Sequence, residues 1–106
     1  MTNKKEVNIL AEEKPQYLTL ADGKEYELPP INLTTLANIE MTIGFGLGRL
    51  QEKMADETAQ TLRLMIYALL KESNPKLELE GVGNLVTFDV MKNVSEVLSK
   101  VLAIAI

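Results

Sequence analysis

The residues with the type and spacing to do chemistry fall into a glycine run, several acidic pairs and two arginines. Gly44-Phe45-Gly46-Leu47-Gly48 has the look of a phosphate-cradling loop. A dinucleotide fingerprint, however, needs G-x-G-x-x-G between a strand and a helix, and here the third glycine comes one position early. No Gly-Lys-Ser/Thr follows it. The run therefore reads as a helix–helix connection, with Phe45 and Leu47 anchoring it in the core or reaching a partner. Acids recur as Glu12-Glu13, Glu25/Glu27, Asp56-Glu57 and Glu78/Glu80. A carboxylate pair works as general acid and base only when pressed together in a cleft. Two apart on a strand, Glu25 and Glu27 share a solvated face. Glu78 and Glu80 stand near a helix start, where the dipole favours them. No twelve-residue calcium loop is present, so no metal site is assigned.

The inventory narrows the chemistry further. The 106 residues include no Cys and no His. Thiolate nucleophiles, thiolate metal sites and the commonest general base go with them. Net charge is −4, which gives counterion-release binding of nucleic acid little support. Tyr17, Tyr26 and Tyr67 do not interleave with basic residues, so no stacking platform for bases is expected. Arg63 reads as a surface arginine whose stem covers the edge of a core. Met41, Met54, Met65 and Met91 fall at helical apolar positions. Core filling is the default for them, and an adaptable binding surface is the alternative. The expected function is non-enzymatic, with no catalytic residue, cofactor or metal.

The elements that position these residues follow from pattern. A length of 106 residues suits one domain at roughly 100–200 residues each. Residues 1–15 hold mixed charges around Val7-Asn8-Ile9-Leu10 and read as a mobile arm; residues 16–106 read as one α+β domain. Asp22-Gly23 between alternating runs predicts a hairpin with strands near 16–21 and 24–28. Pro29-Pro30 ends it. Asn32 or Thr34 caps a helix over 33–43, closed by Gly44 in a left-handed C′ position. A short helix covers 47–54. The strongest helical pattern starts at Asp56 or Glu57 and carries Thr58, Ala59, Leu62, Met65, Ile66, Leu69 and Leu70 on one wide face. Ser73-Asn74-Pro75 stops it. A short helix over 76–86 precedes a last helix capped by Thr87 and running to about 103, with Met91, Val94, Leu98 and Val101 as its seam. The architecture is thus a β-hairpin followed by a bundle of about four helices.

Two stretches are more apolar than a monomer of this size needs, with burial of both inside the domain as the alternative. Leu28–Gly48 has Glu40 as its only charge, and the sequence closes on Val101-Leu102-Ala103-Ile104-Ala105-Ile106. Apolar patches of this kind mark partner surfaces or self-association. Neither stretch satisfies a membrane span, which wants roughly 20 predominantly apolar residues. MTNKKEVNIL lacks a signal-peptide core, so a soluble intracellular protein is expected. The expected partner-binding residues are Leu33, Leu36 and Phe45 near the glycine run, and Val101, Leu102 and Ile104 at the end.

The order of these motifs resembles tail assembly chaperones of long-tailed phages and prophages. The likeness is carried by Tyr26 and Leu28 closing the hairpin, Leu36 and Glu40 on the next helix, Tyr67 to Leu70, and Leu77 to Leu85. It covers about residues 17–103. It implies a non-enzymatic chaperone that binds the tape-measure protein and the tail-tube protein in the cytoplasm of a bacterial host; a homo-oligomer is expected from the apolar stretches. A structural head–tail or tail component that oligomerises is the alternative. The Gly44–Gly48 run and the apolar end depart from the commonest pattern of that family.

Overall fold

A computed structural model describes residues 16–105, with the side chains of residues 102, 104 and 105 outside the description. The expected arm at 1–15 lies outside the described residues. Strands β1 (Gln16–Thr19) and β2 (Glu25–Leu28) pair antiparallel, with Leu18 opposite Tyr26 and Tyr17 opposite Glu27. The turn is tight. Gly23 N donates to Leu20 O at 3.0 Å, and Gly23 takes φ 78°, a conformation costly for a residue with a Cβ. Leu20 N then donates to Lys24 O at 3.2 Å, which closes a three-residue loop of the type-I-plus-bulge kind. Both strands are shorter than the pattern predicted, because the turn takes Leu20 to Lys24 out of the ladder.

Period-two alternation lays one face of the hairpin on the helices. Leu18, Leu20 and Leu28 are buried and Tyr26 is half-buried, while Tyr17, Thr19, Glu25 and Glu27 face out. Among the described residues, five α-helices follow: α1 (Leu33–Ile43), α2 (Leu50–Asp56), α3 (Thr58–Lys71), α4 (Leu79–Leu85) and α5 (Phe88–Ala105). A one-turn 3-10 helix (Leu47–Arg49) leads into α2. The α+β expectation, a hairpin ahead of a helical bundle, holds.

Helix α1 has the predicted bounds. Asn32 Oδ1 accepts from Thr35 N at 2.9 Å and satisfies one of the orphan donors of the first turn. Gly44 ends the helix at φ 87°, its N–H bonded to Glu40 O. Helix α3 is the centre of the molecule and packs on α1, α2, α4 and β2. Its Met65, Ile66, Ala68, Leu69 and Leu70 are buried and join Leu36, Ile39, Val82, Val94, Leu98 and Val101 in one core. The phase at its start differs from the expectation. Thr58 and Ala59 are exposed and Thr61 is buried, its Oγ1 donating to Lys53 O at 3.2 Å. Helix α3 is held to the hairpin by Asn74, whose Nδ2 donates to Leu70 O at 2.8 Å and to Glu27 O at 3.0 Å. No described helix is long and apolar enough to cross a membrane.

Candidate interaction surface

One face of α1 points away from the core. Leu33 is 81% exposed and Met41 82% exposed, with exposed Ala37 midway between them. Steps of four residues keep these positions on one side of a helix, drifting about 40° per step. Leu36, Ile39 and Ile43 on the opposite side are buried and tie the helix down. The outer face keeps no ionised side chain, because the only charged residue of α1 is turned elsewhere. Glu40 Oε2 accepts from Leu47 N at 2.7 Å across the glycine run, a length typical of a charge-assisted bond. The face therefore consists of Leu33, Thr34, Ala37, Met41 and Thr42, apolar or neutral throughout.

Its C-terminal part borders a hollow of about 320 Å³, where Met41 and Thr42 meet Ala68 and Pro75, with Lys71 and Glu72 on the rim. Asn38 Nδ2 lies 3.4 Å from Glu72 Oε1 and marks the edge. A flexible methionine beside a shallow hollow suits an adaptable apolar contact. Charged rim groups around an apolar centre match the usual layout of a protein interface.

The structure disperses the residues expected to bind partners. Leu33 is on the open face. Leu36 (8% exposed) and Val101 (1%) are used in the chain's own core. Phe45 is half-buried against that core, with Lys53 Nζ 5.5 Å from its ring centroid. The side chains of Leu102 and Ile104 lie outside the described residues. Met41 was legible only as one of several methionines; its spacing of eight from Leu33, with no charge facing out between them, was the usable signal. Phe88, 96% exposed at the first position of α5, was not anticipated.

The chemical candidates stay apart. Gly46 opens the 3-10 turn between α1 and α2 rather than linking a strand to a long helix. Among the described residues no group of three or more acids is placed to hold a metal ion. Among the described residues the one perturbed pair is structural: Tyr26 Oη donates to Asp22 Oδ2 at 2.6 Å across the hairpin end. That bond pushes the Tyr26 phenol up to about 12, with desolvation adding to it, and lowers the Asp22 carboxyl.

Compared with family models, with curated proteins and with solved structures, the chain finds no match. The open α1 face is thus the most informative feature for function.

Proposed function

We propose that the chain is a non-enzymatic tail assembly chaperone of a long-tailed phage or prophage, which binds the tape-measure protein and assists tail-tube assembly in the cytoplasm of a bacterial host. The observation that carries the reading is the uncharged outer face of α1, with Leu33 and Met41 each more than four-fifths exposed. Large side chains held open on a rigid helix favour reversible apolar capture of a client, since their burial is deferred until binding. The motif order from Tyr26 to Leu85 supports the same reading. Homo-oligomerisation through this face is part of the proposal.

Co-expression with the tape-measure protein of the same phage tests it. The expected result is a soluble complex that Leu33→Asp/Met41→Asp disrupts without changing the melting temperature. Two folded proteins that do not associate would refute the reading. Mass spectrometry of purified particles separates the alternative: a chaperone is lost from the finished virion, whereas a head–tail or tail component remains.

A further inference from the structure

We propose that the groove between α3 and α4 binds a protein segment presenting a carboxylate among apolar side chains. This inference is independent of the assembly role above and of the α1 face. The groove has a volume of about 640 Å³. Leu62 and Ile66 come from α3, Val82 from α4, Val86 from the link that closes α4, and Met91 from the first turn of α5. Arg63 enters it from α3.

Arg63 is set in the groove by close packing. A Cβ placed on Gly83 would stand 2.9 Å from Arg63 Cδ, nearer than real Cβ atoms approach a neighbour. Glycine at this position is what lets the arginine stem lie across α4. The stem buries Nε, which has no hydrogen-bond partner among the described residues. Glu80 lines the same groove, yet no ion pair joins it to Arg63 among the described residues. A guanidinium keeps its charge and offers only donors, so the complementary group is an acceptor with a negative charge. A carboxylate matches its planar fork with two parallel bonds. The apolar floor and Glu80 disfavour a more highly charged anion.

The size of the occupant follows from Phe88. It is 96% exposed and lies one helical turn before Met91, a spacing that brings side chains together on one side of a helix. An occupant that fills the groove and also covers Phe88 must extend along the surface, as a peptide segment does and a small acid does not. Aromatic residues and arginine are the usual anchors of such contacts.

The test uses the full chain as bait for a random peptide display library, with counter-selection on Arg63→Met. Recovered peptides are expected to share an Asp or Glu flanked by apolar residues. In an ¹⁵N spectrum of arginine Nε–H groups the chain gives two signals, Arg49 and Arg63, assigned with Arg49→Lys. A recovered peptide should move the Arg63 signal alone. Its Glu→Gln version should bind about tenfold more weakly. Phe88→Ser should weaken binding about fivefold or more with no change in melting temperature, since the ring contributes nothing to the core. Gly83→Ala should lower affinity by displacing the Arg63 stem. The proposal is overturned if no peptide is enriched, if enriched peptides lack an acid, or if Phe88→Ser binds normally. It is also overturned if acetate alone moves the Arg63 signal equally, or if the signal moves with protein concentration, which would assign the groove to a second copy.

Discussion

Replacing Glu40 by alanine should destabilise the fold far more than a half-exposed helix position ordinarily would. Oε2 accepts from Leu47 N at 2.7 Å, and Leu47 is 7% exposed, so water cannot readily take over the bond. Hydrogen bonds to charged groups contribute roughly 1.5–3 kcal/mol. Alanine recovers a few tenths of a kcal/mol through helix propensity, leaving a net loss of about 1–2.5 kcal/mol. For a domain of this size about 1 kcal/mol corresponds to a melting shift of about 4–5 °C, so Glu40→Ala should melt about 5–11 °C lower. Glu40→Gln keeps an acceptor oxygen but no charge and should lose less than about half as much. Circular dichroism melts give the stability, and hydrogen exchange at the Leu47 amide reports the bond itself. The amide should exchange much faster in Glu40→Ala while core amides of α3 keep their relative order. A melting change below about 2 °C, or unchanged Leu47 protection, would refute the argument. It would also remove the reason for the neutrality of the outer α1 face, since an unheld Glu40 is free to swing onto that face.

Three other perturbations have defined outcomes. Leu33→Asp/Met41→Asp should leave the unfolding free energy from urea melts within about 0.5 kcal/mol of the parent, as expected for exposed sites, while lowering client affinity about a hundredfold by calorimetry. Gly44→Ala places a Cβ at φ 87° and should cost about 1 kcal/mol in the same urea melts, with nothing nearby to clash. The phenol of Tyr26 should titrate at about 12 by ultraviolet absorbance and return towards 10.0 in Asp22→Asn. Because folding raises this pKa, the stabilisation from Tyr26 is complete below pH 10 and disappears as pH rises towards about 12; denaturant midpoints in that window should fall in the parent and fall less in Asp22→Asn.

What the sequence made legible is what local chemistry decides. Asn32 and Gly44 fix the ends of α1 through a side-chain acceptor and a left-handed turn, and both signals are visible in the residues themselves. Asp22-Gly23 fixes the hairpin in the same way. The start of α3 was not legible, because Thr58, Ala59 and Thr61 are all small and only the neighbouring α2 decides which of them is covered. Leu33 and Leu36 have one composition and two fates for the same reason: α3 lies under one side of α1 only. Arg63 looked like an ordinary surface arginine because nothing in its own neighbourhood announces Gly83, twenty positions away, as the residue that makes room for it. Phe88 carried no signal, since a Phe just after a helix cap is usually read as core.

The two hydrogen bonds that Asn74 Nδ2 donates, to Leu70 O and Glu27 O, have a consequence for the edge of the hairpin. Glu27 lies between the hydrogen-bonded pairs of the hairpin, so its carbonyl faces sideways from β2 towards any additional strand. Asn74 occupies that carbonyl and anchors the margin to the end of α3. A strand added beside β2 would have to displace that bond, whereas no such side chain holds β1 among the described residues. A side chain that holds an edge carbonyl in this way disfavours strand addition at that edge.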